Sequence, residues 1–191
     1  MRKIVLASAS PRRQKILKLL NKDFIISKSN IDESKFQVTH NEPENYCLNL
    51  AYEKSNDVSK KFQDAIVIGC DTIVYHKNKI MGKPKNQNEA IKYLKLLSNE
   101  SHIVYSAISI LIETLSIKKS FIDKTKVSFN KLTMEDIQYY VENCNPYDKA
   151  GGYGIQDWSS IFIKKIDGCY YNVVGFPLSK FYILLKELKN K

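Results

Sequence analysis

Residues 6–20 read LASASPRRQKILKLL. The run Lys3–Ala7 that leads into this stretch is short and mostly apolar, as a buried strand is. Ser8 or Ser10 can cap a helix and Pro11 suits its first turn. Ile16, Leu17, Leu19 and Leu20 then line up as one apolar face. Strand, tight connection, helix is the order that opens an α/β fold. The stretch is also odd in composition. Arginine occurs only at positions 2, 12 and 13, although Lys and Arg together number 30. With Ser10 as cap, Arg12 and Arg13 occupy the second and third helical positions, where backbone N–H groups lack partners and the helix dipole is positive. Each cation there costs roughly 0.3–1 kcal/mol unless an anion offsets it. Bare N–H groups, the dipole and two planar guanidiniums together make a phosphate site. The competing reading is a helix that simply starts with surface charge, which leaves that cost uncompensated.

Outward from this stretch, Asp23–Ser27 reads as a strand and Lys28–Glu42 as a polar loop. A helix from Pro43 to about Lys61 carries Tyr46, Leu50 and Lys54 one turn apart. Ala65–Gly69 is a buried strand. Ile73–His76 and Lys79–Met81 form a short pair joined at Lys77 and Asn78. Asn88–Leu97 is an amphipathic helix, and HIVYSAISILIE (102–113) and SFIDKTKVSFN (120–130) read as strands, the second bent near Asp123. Thr133 with Asp136 approximates a capping box for a helix to about Asn143. FIKKIDGCYYNVV (162–174) reads as a hairpin, because Asp-Gly fits a type I′ turn, and Pro177 begins a last helix that ends in lysines. Mixed helices and antiparallel hairpins predict one α/β domain over 1–191 with a mixed central sheet and flanking helices.

The bulk composition narrows the function. A chain of 191 residues with 43% hydrophobic and 26% charged residues buries enough surface to need no disulfide or structural metal. The four cysteines are widely spaced with no metal-ligand pattern and read as reduced. No apolar run is long enough to span a membrane, and the start is too short in apolar residues for a signal peptide, so a cytoplasmic location is expected. The net charge of +10 asks for an anionic partner. The lysines are dispersed, with neither a basic stripe nor interleaved aromatics, which favours an anionic small molecule over nucleic acid.

Asp71 in IGCDTIV (68–74) falls just beyond a predicted buried strand, where ligands of open α/β sheets gather. A carboxylate there can hold Mg²⁺ or activate water. Its other reading is a turn aspartate with a local hydrogen bond. Lys83 in GKPK, and Asp148, Lys149 and Gln156 in DKAGGYGIQ, read singly as solvated loop residues or as phosphate and substrate contacts. Lys54 reads by periodicity as a surface residue, or else as one directed at the site. Gly151, Gly152 and Gly154 concentrate three of the seven glycines in one loop, which permits positive φ or a close backbone approach.

Taken in series, LASASPRRQKIL, IGCDTIV with IMGKPKN, LSNESHIVYSAI, YDKAGGYGIQ and DGCYYNVVGFPLSKFYILL resemble the Maf family of nucleoside triphosphate pyrophosphatases over nearly the whole chain. That resemblance implies a fold of the inosine-triphosphate-pyrophosphatase type, often dimeric. It also implies hydrolysis of a nucleoside triphosphate to monophosphate and pyrophosphate with a divalent metal, Mg²⁺ or Mn²⁺. By motif, Asp71 matches the proposed proton acceptor. Arg12, Thr72 and Gln156 match positions of substrate choice. Arg13, Lys54, Lys83 and Lys149 match phosphate contacts around the Ser10 cap. Glu33 in IDES matches an acidic position that helps hold metal together with Asp71. Asp-Thr at 71–72 resembles the branch acting on dTTP and UTP. Cys70, Asp157 and Trp158 depart from the usual pattern, and Asp157 and Trp158 are expected at the rim beside Gln156. The alternative class is a non-catalytic nucleotide- or nucleic-acid-binding regulator of cell division.

Overall fold

A computed structural model describes residues 2–189. In chain order it runs β1 (Ile4–Leu6), α1 (Pro11–Lys18), β2 (Phe24–Ile26), α2 (Pro43–Ser59), β3 (Ile66–His76), β4 (Lys79–Met81), α3 (Gln87–Leu97), β5 (Ser101–Ile112), β6 (Ile117–Phe129), α4 (Met134–Asn143), β7 (Ile163–Asp167), α5 (Tyr170–Val174) and α6 (Leu178–Lys189). The strands form one seven-stranded sheet in the order β2-β1-β3-β5-β6-β7, with β4 paired to β3. β1 lies parallel to both β2 and β3, and the other pairs are antiparallel. This is the mixed sheet with flanking helices that the sequence predicts.

One apolar cluster packs α1 and α6 against β1, β3 and β5 through Leu6, Ile16, Leu17, Ile68, Ile110, Phe176 and Phe181. A second gathers α3, α4 and the far halves of the strands around Leu94, Leu97, Val104, Phe129, Tyr140 and Phe162. β3 and β5 run through both clusters, so the sheet is shared between two packed halves. The face of the sheet opposite α1 receives α2. An added Cβ at Gly69 would lie 2.0 Å from the Ala51 carbonyl oxygen and 2.6 Å from Ser55 N, so glycine is what lets this helix touch the strand.

Several local expectations need correction. Ala65–Gly69 and Ile73–His76 are one continuous strand, and Asp71 sits in its middle rather than in a turn. The hairpin turn is at Lys77 and Asn78, as expected, both at positive φ (45° and 60°), as a two-residue primed turn requires. Asp167–Gly168 makes no hairpin. β7 ends there, and CYYNVV winds into the short α5 because the Asn172 amide reaches Val104 O at 3.0 Å and Thr125 Oγ1 at 2.9 Å. Gly168 serves a close approach instead, since a Cβ would stand 2.7 Å from Thr125 Oγ1. β6 pairs without interruption past Asp123, which accepts from Lys180 Nζ at 2.5 Å, and its irregularity falls at Ser128/Phe129.

Candidate active site

β1 pairs with β3 only as far as Ile68, and β4 joins β3 only from Val74. Between them, residues 69–73 present an open strand edge just past the carboxyl end of β1. A cavity of about 490 Å³ lies there, lined from both sides of the sheet and from the 148–157 loop. That volume falls within the range of small-molecule sites.

Strand alternation sends Asp71 and Thr72 to opposite faces. On the α2 side, Lys54 is only 8% exposed, against the surface position that periodicity favours. Its ammonium donates to Asp71 Oδ1 at 2.5 Å and pairs with Glu33 Oε1 at 2.9 Å. Burial pushes the Lys54 ammonium down, but Asp71 outweighs it, aided by Glu33 and opposed by Arg13, so its pKa lies above the ordinary value. Burial likewise pushes the Glu33 carboxyl up, and Lys54, with smaller help from Lys83 and Arg13, brings it below. Cys47 Sγ stands 3.9 Å from Asp71 Oδ2, a weak contact.

On the other face, Ser10 caps α1, its hydroxyl accepting from Arg13 N at 3.5 Å, and Pro11 is the first helical residue. Arg13 folds back into the open edge. Nε donates to Gly175 O at 3.0 Å, Nη1 to Cys70 O at 2.8 Å and Ser8 Oγ at 3.2 Å, and Nη2 to Thr72 Oγ1 at 3.0 Å. All these acceptors are neutral, so none of its hydrogen bonds is an ion pair. Arg12 reaches the loop, with Nη1 2.6 Å from Asp148 Oδ2 and Nη2 3.0 Å from Asp148 O. Burial raises the Asp148 carboxyl, but hydrogen bonds from Arg12 and Lys149 outweigh it and hold it low. Lys149 Nζ pairs with Asp148 Oδ1 at 3.0 Å and Asp157 Oδ2 at 3.2 Å and also donates to Asn145 O.

A family model described as Maf-like protein matches residues 3–188. The chain belongs to the Maf-like family. It is 48% identical over 192 residues to the dTTP/UTP pyrophosphatase of Clostridium botulinum strain Okra, covering 98% of each chain. To the dTTP/UTP pyrophosphatase of Bacillus cereus strain ATCC 14579 it is 42% identical over 189 residues, covering 99% of this chain and 95% of that one. Among solved structures, a HAM1 protein from Coxiella burnetii superposes with a TM-score of 0.54 at 17% identity, covering 98% of this chain and all of that one. That likeness carries the fold, the HAM1 and inosine-triphosphate-pyrophosphatase type.

In this Maf-like chain, Ser10, Arg12, Arg13, Glu33, Lys54, Asp71, Thr72, Lys83, Lys149 and Gln156 all line the one cavity. Donor counting separates the basic residues further. A guanidinium has five N–H groups and an ammonium three. Arg12 uses two, leaving three; Arg13 uses four, leaving one. Lys54 uses two and retains one. Lys83 is exposed and has no hydrogen bond or ion pair among the described residues. Lys149 uses all three, so in this structure it anchors the loop and has no donor free for a phosphate.

The three departures divide in the same way. Cys70 is fully buried on the α1 side and takes no part in the lining. Trp158 does not reach the rim; it packs on Tyr139, Tyr140 and Phe162. Asp157 does line the cavity, where it holds Lys149 and accepts from Ser159 N at 3.1 Å.

Sequence reasoning missed Ser8, Ser106 and Asn172. The latter two are wholly buried behind Thr72, with Ser106 Oγ 2.9 Å from Thr72 Oγ1 and 2.9 Å from Asn172 O. Their one sequence signal is polarity inside apolar runs, since a buried hydroxyl or amide must find a partner.

Proposed function

We propose that this chain is a nucleotide pyrophosphatase that hydrolyses dTTP and UTP to the monophosphate and pyrophosphate. The observation that carries this reading is Asp71. It is a carboxylate on a rigid central strand, only 6% exposed, gripped by Lys54 and facing a cavity whose far wall holds a capped helix start with Arg12 and Arg13. The names of the Clostridium and Bacillus relatives supply the substrates.

Catalysis of such a displacement is mostly positioning and charge stabilisation. The free N–H groups of Arg12, Lys54 and Lys83, with the last one of Arg13, bind the polyphosphate. Asp71 orients a water at the α-phosphorus and takes its proton. The water oxygen bonds to that phosphorus, the bond to the bridging oxygen breaks, and pyrophosphate leaves with the electron pair. Lys54 holds Asp71 in a single orientation throughout.

Mg²⁺ or Mn²⁺ belongs to the same proposal. Among the described residues no three His, Cys, Asp or Glu side chains cluster as ligands. Glu33 and Asp71 nevertheless flank the Lys54 ammonium, at 2.9 and 2.5 Å, each through one oxygen, which leaves the second carboxylate oxygen of each free of it. Mg²⁺ bound together with substrate phosphates uses one or two protein carboxylates, so this pair fits. Glu33 and Asp71 would hold the ion, and once bound it would neutralise phosphate charge.

A homodimer and a cytoplasmic location complete the proposal. Exposed Ile25 and Ile26 on the edge strand β2, with Leu19 at the end of α1, support a dimer contact, which light scattering tests. No helix among the described residues is long and apolar enough to cross a membrane. The test of activity is Asp71→Asn: pyrophosphate release from dTTP should fall at least about a thousandfold, and retained turnover would remove Asp71 from the chemistry.

A further inference from the structure

We infer that Ser106, which does not line the cavity, determines substrate choice by fixing the Thr72 hydroxyl as a hydrogen-bond acceptor toward the ligand. The inference rests on the reading of this site as a dTTP/UTP pyrophosphatase.

Thr72 Oγ1 lies 3.0 Å from Arg13 Nη2, 2.9 Å from Ser106 Oγ and 3.4 Å from Gly175 O. A guanidinium only donates, so one lone pair of Thr72 accepts from Arg13. The direction of the Thr72–Ser106 bond follows from the second partner of Ser106, the carbonyl of Asn172 at 2.9 Å. A carbonyl only accepts, so the single proton of Ser106 goes there, and the single proton of Thr72 goes to Ser106.

The reverse assignment is poorer. It would strip Asn172 O of this donor and send the Thr72 proton to Gly175 O at 3.4 Å. That carbonyl already accepts from Arg13 Nε at 3.0 Å and faces Cys70 Sγ at 3.2 Å.

Asn172 O cannot drift from Ser106. The Asn172 amide is tied to Val104 O and Thr125 Oγ1, and Thr125 in turn donates to Cys169 O at 3.2 Å and accepts from Cys169 N at 3.0 Å. Ser106, Thr125 and Asn172 are all at most 1% exposed, so no solvent competes for these protons.

Thr72 therefore reaches the cavity with one lone pair left and no proton. A ligand group that meets it must donate. The imide N3–H of uracil and thymine donates, whereas the N3 of cytosine accepts and meets a like lone pair. A ribose hydroxyl is the other donor a nucleotide brings. The acceptor role of Thr72 is common to both sources.

The experiment compares kcat/KM of wild type, Ser106→Ala and Thr72→Val with UTP, CTP, N3-methyl-UTP and 3′-deoxy-UTP, after a thermal melt of each protein. Wild type should favour UTP over whichever analogue lacks the donor: CTP and N3-methyl-UTP for the imide, 3′-deoxy-UTP for the sugar. Ser106→Ala releases the Thr72 proton to turn toward the ligand, so the preference should shrink about tenfold, the worth of one hydrogen bond. Thr72→Val keeps the shape, removes the acceptor and should flatten the same ratio even if Ser106→Ala fails to fold. A Ser106→Ala protein that lowers activity on all four substrates equally, with ratios unmoved, overturns the inference while the pyrophosphatase reading stands. No pyrophosphate from UTP with wild type overturns both.

Discussion

His102 should make this fold acid-sensitive by itself. The residue is 2% exposed, between Phe129 and Tyr153 in the second apolar cluster. Its Nε2 shares a hydrogen bond with the Tyr153 hydroxyl at 2.6 Å, and its Nδ1 has no partner among the described residues. Burial, reinforced by nearby His76, drives its pKa from 6.5 down to about 3. The group is depressed, so it is the unfolded chain that takes up the proton first as pH falls. Stability is therefore unaffected by His102 above about pH 6.5 and declines from there toward pH 3. Each pH unit in that window costs about 1.4 kcal/mol. From pH 6.5 to 5 the loss is about 2 kcal/mol, a sizeable share of the roughly 5–15 kcal/mol that holds a domain together. Glu33 and Asp148, both held below the ordinary carboxyl value, lose their stabilisation only as pH falls further, through the carboxyl range. Urea titrations at pH 7 and pH 5 measure the effect. His102→Gln keeps an acceptor for Tyr153 and removes the titration, so its two midpoints should nearly coincide once the wild-type carboxylate contribution is subtracted. An equal fall in wild type and His102→Gln would refute the assignment.

Gly69→Ala should cost about 1–3 kcal/mol, because its Cβ meets the α2 backbone at 2.0 Å; it should also lower turnover by shifting Lys54 from Asp71, and urea titration beside a kinetic assay checks both. Lys149→Met should lower the melting temperature by an amount worth about 1–2 kcal/mol, discounted for the partly exposed Asp148 and Asp157, with little change in KM for UTP. Arg12→Ala and Lys83→Ala should each raise KM about tenfold at nearly constant kcat, since both remove donors free for phosphate. A loss confined to kcat in steady-state kinetics would count against that division of labour.

Much of this was legible locally. Pro11 after Ser10, Pro43, and the Thr133–Asp136 box mark helix starts through interactions within one turn, so the sequence carries them. The convergence of Arg12, Arg13, Lys54 and Asp71 on one cavity was anticipated from motifs rather than from periodicity, which points Lys54 outward. What local signals could not convey came from distant partners. Asp71 sits mid-strand because β5 pairs with β3 without a break from Val67 to Tyr75, with Asp71 opposite Ala107. Asp-Gly at 167–168 resembles a hairpin turn, yet Asn172 binding across to β5 and β6 winds the following residues into helix. Lys149 lines the cavity as the motifs imply, while Asn145, Asp148 and Asp157 of its own loop take its donors in this structure. Trp158 looks like a rim residue until Tyr140 and Phe162 are seen to hold it against the second apolar cluster.

Pyrophosphate release from a panel of dTTP, UTP, CTP and dGTP, with Mg²⁺ or Mn²⁺, probes the site most directly. Turnover should be fastest with dTTP and UTP, should yield the monophosphate with pyrophosphate and no free orthophosphate, and should vanish in Asp71→Asn. Orthophosphate as the first product, or no release from any of the four, would contradict a site built to break the α–β bond.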